Sequence, residues 1–247
     1  SRGVRLALMA VKGEIGCPSA LTAKTWGFYH VLFKNKPLRF QRPFGAYVME
    51  NTLFKIPYPT AFHGQTGVEA AIKLHPLVKD RLDDIKRVEV RCHNSTMVIL
   101  DKSGPLHNFA DRDHCMQYMM AIGMIFGTLT AEHYYDHIAA DPRIDKLRAK
   151  MHLAESKQYE SEYHDPKKRT NANSIQVYFK DGTRTPLSEV LYPLGHRKRR
   201  EEGMPVLISK FEGAVGRVFA AKRRDAIVSA CLDQKRLEAM PVNEFMD

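Results

Sequence analysis

The sequence predicts an α+β protein in which helical segments flank an inserted α+β unit with an antiparallel sheet. Three observations carry this expectation. Apolar residues recur at helical spacing near both ends of the chain. The middle switches to strand-like patterning in "RVEVRC" and "SIQVYF". The turn signals between strands read as hairpins rather than as crossover helices.

Taken in order, Val4, Leu6, Leu8, Met9 and Val11 make an apolar helix, Gly13 to Gly16 a turn, and Trp26 to Phe33 a second amphipathic segment. From about residue 48 the period changes. Leu53 to Ile56 reads as a short strand, and Val68, Ala71 and Ile72 as a helix that His75-Pro76 should close, because a residue before proline leaves the α region. "RVEVRCHNSTMVILD" reads as a hairpin turning at Asn94-Ser95. Asp111 or Asp113 can cap a helix to Phe126 that is apolar on nearly every side and should be buried. Strands follow near Lys150 to Glu155 and at "SIQVYF", which ends in the turn Asp181-Gly182. After Pro186 the signal is helical, with Pro205 as a first helical residue. The expected division is 1–47, the end of a helical body; 48–185, an α+β lid; and 186–247, a returning helical segment.

Composition narrows the function classes. The 44% hydrophobic and 27% charged residues are ordinary globular values, and no apolar run approaches the ~20 residues of a membrane span. The four cysteines are widely separated, so neither a zinc ribbon nor a disulfide framework is expected. A net charge of +10 suits an anionic partner: nucleic acid, membrane surface or polycarboxylate. The basic runs at Lys167 to Arg169 and His196 to Arg200 lack interleaved aromatics and read as solvated surface, not as a nucleic-acid site. His133 and His137 have metal-binding spacing, but no third ligand stands at a recognisable distance. The opening "SRGVRLALMAV" lacks Met and is already helical, as in a piece of a longer protein.

Two constellations could carry chemistry. In "LFKIPYPTAFHGQT", Lys55 at a strand end can place an ammonium in a cleft, and the break at Pro57 and Pro59 exposes the chain beyond it. His63 lies near a helix start, whose positive end favours neutral imidazole. Gln65 and the first-turn N–H groups can hold a carboxylate. The plain alternative is a solubility charge and a surface histidine. In "NFADRDHCMQYMM", Asp111, Arg112, Asp113 and His114 gather at a helix start with Tyr118 one turn inside, where a buried hydroxyl needs a partner. The plain alternative there is N-capping and a core tyrosine.

The blocks "GCPSALTAKTWGFYHVLF", "FQRPFGAYVMENTLFKIPYPTAFHGQTGVEAA", "ADRDHCMQYMMAIGMIFGTLTAEHY", "DPRIDKLRAKM" and "YPLGHRKRREEGMPVLISKFE" resemble the MmgE/PrpD family, in particular its dehydratase branch. The resemblance runs through essentially the whole chain and covers about the C-terminal half of the family's length. It implies a helical body with an α+β lid, commonly in a homodimer. The implied activity is a cofactor-independent, metal-free hydro-lyase that takes water from 2-methylcitrate to give 2-methyl-cis-aconitate, with citrate as a poorer substrate. Other chemistries on the same scaffold, such as decarboxylation of cis-aconitate, and a non-catalytic fragment remain alternatives. The resemblance places catalytic roles on Lys55 as a carboxylate clamp, His63 as base or clamp, and Tyr118 as hydroxyl donor. It places substrate contacts on Gln65, a second candidate for the His63 role, and on Arg112 and His114. Family members carry the body's share of the site upstream of where this chain begins, so an upstream helical half is the implied partner, with neither nucleic acid nor membrane. The implied compartment is the mitochondrial matrix in a fungus and the cytoplasm in a bacterium.

Overall fold

The computed structural model describes residues 2–40, 43 and 52–246. Contacts divide the chain into two compact units, residues 1–49 and 50–247. The change of period expected at residue 48 lies outside the described residues.

In the first unit, α1 (Arg2–Val11) and α2 (Phe28–Phe33) form where apolar periodicity predicts them. Residues 12–27 between them are turns and irregular chain, so this stretch is less helical than its pattern. α2 ends on Lys34 in the left-handed conformation.

In the second unit, α3 (Gln65–Val78) follows a 3-10 turn at Phe62–Gly64. It runs through Pro76 instead of stopping at His75. Proline there removes one hydrogen bond in the last turn, while Lys79 N–H still reaches the His75 carbonyl at 3.0 Å. β1 (Ile85–Cys92) leads into α4 (Asn94–Leu100), which replaces the expected second hairpin arm. α5 (Phe109–Arg112) is capped by Asn108, whose side chain accepts from the Asp111 N–H. α6 (Met116–Phe126) starts at Cys115, so neither Asp111 nor Asp113 caps it, and Gly127 at φ 69° ends it. α7 (Asp136–Ala139), α8 (Pro142–Arg148) and β2 (Met151–Glu155) come next. They are followed by α9 (Lys157–His164), β3 (Asn173–Phe179) and β4 (Ser188–Val190). α10 (Arg200–Gly216), α11 (Ala221–Leu232), α12 (Gln234–Ala239) and α13 (Val242–Met246) complete it.

The sheet is mixed, not antiparallel. Its order is β2-β1-β3-β4, with β1 parallel to β2 and the other pairs antiparallel. Because β1 is bonded on both edges, no edge remains for a hairpin partner, and the chain after it turns into α4. Val88, Val90 and Cys92 face the core, and Arg87, Glu89 and Arg91 face outward. A bulge between Ile85 and Arg87 lets Ile85 stay buried three residues before Val88. β4 corrects the expectation of helix directly after Pro186. α10 begins at Arg200 rather than at Pro205, with Glu201 and Glu202 in its first turn complementing the positive helix end.

α3 packs on β3 and β4, and α6 packs between α3 and α8. This position explains why α6 is apolar all round: every residue from Met116 to Ile125 is buried. Small residues let the two helices approach. A Cβ on Gly123 would stand 3.2 Å from Ala71 Cβ, and one on Gly67 would stand 3.0 Å from Met116 Sδ. One hydrophobic cluster runs from Ala61 to Val190.

Candidate active site

The segment "LFKIPYPT" is not a strand. It is an extended strip tied to residues 194–210. Phe54 N–H donates to the Gly195 carbonyl at 3.3 Å, and Lys210 Nζ donates to the Lys55 carbonyl at 2.7 Å. A Cβ on Gly195 would lie 1.7 Å from the Phe54 carbonyl oxygen, so the close approach requires glycine. Ile56 is buried while the Lys55 side chain is exposed. Gln65 is buried and its amide donates to the carbonyls of Tyr58 (2.7 Å) and Thr60 (3.4 Å), which fixes the proline turn. The Thr60 hydroxyl bonds Met119 Sδ, and Ala61 N–H donates to the Asp113 carbonyl at 3.2 Å. These two contacts bring the Lys55 strip against the segment that carries Arg112, His114 and Tyr118.

His63 belongs to a second group, built by the sheet register. Cys92 at the end of β1 pairs with Asn173 at the start of β3, so His93 and Asn171 meet at the same end of the sheet as the start of α3. Asn171 Oδ1 lies 3.3 Å from His63 Nδ1 and 2.9 Å from His93 Nε2, while its Nδ2 donates to the Phe62 carbonyl at 3.0 Å. Asn173 Nδ2 donates to the His63 carbonyl at 2.9 Å and to Thr66 Oγ1 at 2.7 Å. Tyr163 of α9 stacks on His93 with ring centres 4.1 Å apart, and the His63 ring stands 5.1 Å from that of His93. Burial lowers the pKa of both histidines, and the hydrogen bonds to Asn171 partly offset it. His63 is half-buried and His93 fully buried.

Tyr118 and Arg112 line a cavity of about 290 Å³ together with Leu106, Asp136, Asp145 and Arg148. The Tyr118 hydroxyl donates to the His133 carbonyl at 2.5 Å, and burial pushes its pKa up to about 12, so it stays a protonated donor. Arg112 donates to the Tyr134 carbonyl at 2.5 Å and pairs with Asp136 at 2.7 Å. Arg148 pairs with Asp145 at 2.5 Å, so both guanidiniums already face carboxylates. His114 is exposed beside Asp113, with Nδ1 2.6 Å from its carboxylate. His133 and His137 have separate roles: the first caps the turn at Thr130 and the second stacks on Tyr135.

The arrangement therefore offers an exposed ammonium on a fixed strip, a neutral imidazole beside a carboxamide, and a buried phenol with its proton held. Held in separate neighbourhoods, these groups are individually able to bind a carboxylate, accept a proton and donate one at neutral pH. His93, Tyr163, Asn171, Asn173 and Thr66 were not singled out from the sequence. The signal that could have found them is positional. His93 immediately follows a strand, and "NAN" at 171–173 immediately precedes one, so polar residues sit where two paired strands end together.

The MmgE/PrpD C-terminal domain matches residues 58–234. The whole chain is 56% identical over 252 residues to the 2-methylcitrate dehydratase of Cupriavidus necator, covering 52% of that protein. It is 52% identical over 250 residues to the 2-methylcitrate dehydratase of Escherichia coli strain K12, again covering 52%. A Yarrowia lipolytica protein named 2-methylcitrate dehydratase, mitochondrial, is 53% identical over 246 residues, which take in 95% of this chain and 47% of that one. The chain thus spans about half the length of the curated relatives it matches. With the matched region containing the sheet, the His63 group and the Tyr118 cavity, the chain belongs to the MmgE/PrpD family.

Proposed function

We propose that this chain, completed by the remaining half of the full-length protein, forms part of a cofactor-independent hydro-lyase. It would convert 2-methylcitrate to 2-methyl-cis-aconitate in propionate breakdown, with citrate as a poorer substrate. The observation that carries this is identity of 52–56% along the entire chain to bacterial proteins of that name. In the reaction a proton leaves the carbon next to a carboxylate, and hydroxide leaves the neighbouring carbon, departing as water once protonated. His63 takes the carbon proton, Lys55 fixes a carboxylate, and the Tyr118 hydroxyl serves the leaving group after exchanging its His133 partner. His114, exposed beside Asp113, is the proposed outer substrate contact. Gln65 and Arg112 shape the strip and cavity through the main-chain carbonyls they hold.

The division at 1–47, 48–185 and 186–247 into body, lid and returning body segment is part of the same proposal, as is a homodimer. No described helix is long and apolar enough to cross a membrane. The relatives named above are bacterial or carry a mitochondrial name, so the proposed compartment is the bacterial cytoplasm or a fungal mitochondrial matrix.

The test adds 2-methylcitrate to the full-length protein with EDTA present and follows absorbance of the conjugated alkene. A rise is expected. Lys55→Ala, His63→Ala and Tyr118→Phe should each cut turnover, by about 10²–10⁴-fold for the residue acting as general base. If no absorbance rise occurs, the activity is wrong. If the rise survives all three substitutions, the site is elsewhere.

A further inference from the structure

Asn171 is 4% exposed and stands between two imidazoles, neither of which the sequence pairs with it. Its amide orientation is set by a third group: Nδ2 donates to the Phe62 carbonyl, so Oδ1 faces the rings. An amide oxygen accepts and cannot donate, so each ring nitrogen aimed at it must carry hydrogen. The residue cannot swing away easily. Its own N–H donates to the Leu191 carbonyl at 2.9 Å, and its carbonyl accepts from the Thr66 hydroxyl at 2.6 Å.

We infer that Asn171 is a positioning residue that fixes His63 as the Nδ1–H tautomer and leaves Nε2 as the basic nitrogen, with His93 as the second donor that holds the Asn171 oxygen in place. A neutral imidazole has one N–H, so commitment of Nδ1 leaves Nε2 with its lone pair. His93 suits the tethering role. It is fully buried and stacked on Tyr163, and its Nε2–H is shared by two acceptors, Asn171 Oδ1 and Thr96 Oγ1, each at 2.9 Å.

The groups facing the pair are few. His63 meets His93 and Tyr163, and from α9 Glu160 and His164 act on His93. Glu160 is engaged by the Asn94 N–H at 2.8 Å and by His164 at 2.9 Å. The acceptor that orients His63 is thus a neutral dipole, where an aspartate would add charge and hold the ring protonated. A carboxamide orients the ring without that cost to the free base, and burial keeps it neutral. The inference deepens the dehydratase reading, on which the catalytic meaning of Nε2 rests.

The experiment uses the full-length protein with ¹⁵N-labelled histidine. Two-bond correlation spectra near pH 7.5, assigned with His63→Gln, should show His63 protonated at Nδ1 and bare at Nε2. Asn171→Asp should raise the His63 pKa, and with it the acid limb of kcat/KM, by about one pH unit or more. An Nε2–H tautomer in the unaltered protein would overturn the inference. So would an Asp variant whose ring titration and acid limb both stay in place. If that variant does not fold, the spectrum of the unaltered protein decides alone. The spectrum needs no turnover, so failure of the dehydratase reading shows in the alkene assay and leaves the tautomer result intact.

Discussion

His196 shows how far a residue's setting can depart from its sequence neighbourhood. It lies in a run of basic residues that reads as solvated surface, yet it is 4% exposed, and its Nδ1 accepts from the Lys198 N–H at 3.2 Å. Burial, together with Arg197, Lys198 and Arg200, pushes its pKa down to about 4. His63, His93 and His133 are lowered in the same direction by burial. An unfolded histidine titrates near ~6.5. Between that pH and about 4 the unfolded chain therefore binds protons that folded His196 refuses. Stability from this residue is complete above pH ~6.5 and is lost as pH falls through the window. Calorimetry at pH 7.5 and 5 should show Tm falling with acid, at roughly 2–4 °C per kcal/mol for a chain of this size. His196→Asn, which keeps an acceptor, should make the fall smaller. Equal slopes would remove His196 as a cause. What the sequence hides here is partnership at a distance: Arg199 reaches Glu69, 130 residues away, at 2.8 Å.

The Lys55 strip has no regular secondary structure, and its passage past Gly195 leaves no room for a side chain. Gly195→Ala would drive a methyl into the Phe54 carbonyl, which lies 1.7 Å from the Cβ position, so the strip must move and carry Lys55 with it. Misplacement of about 1 Å at a substrate-positioning group costs on the order of 10²-fold. The full-length variant should lose about that much kcat/KM while its Tm drops only modestly, because the core from Ala61 to Val190 is untouched. Unchanged kcat/KM would mean that the strip does not position substrate. Helix and strand identities were legible where periodicity is strong, as in α1, α6, β2 and β3. Pairing was not. "STMVIL" has strand-like residues, but β1 is already bonded to β2 and β3, and occupancy of both edges is a property of residues 151–155 and 173–179. The same gap hid Asn171 and His93, whose meeting depends on register. The roles proposed for Lys55, His63 and Tyr118 come from local pattern and family resemblance, neither of which foretells the separation of His63 and Tyr118 into different groups.

At the scale of the whole molecule, much apolar surface is uncovered. Leu6 is 63% exposed and Leu8 60% in the first unit; Met204 is 47% exposed and Val218 75% in the second. α1 alone buries none of its residues, and an apolar helix face left in water favours association. Produced alone, the chain should bind an environment-sensitive dye and self-associate. Co-production with a segment matching the half of the relatives that this chain does not span should lower the dye signal several-fold and restore a discrete size in gel filtration. A dye-silent monomer of the chain alone would show that the exposed residues need no cover. The sheet order carries a consequence for synthesis as well. Central strand β1 finds its antiparallel neighbour only when Asn173, paired with Cys92, has been made. At about 5–20 residues per second the ribosome needs roughly 4–16 s to add the intervening stretch. During that interval Val88 and Val90 have no β3 to lie beside, and a nascent chain in this state is a natural client for chaperones that hold extended apolar segments.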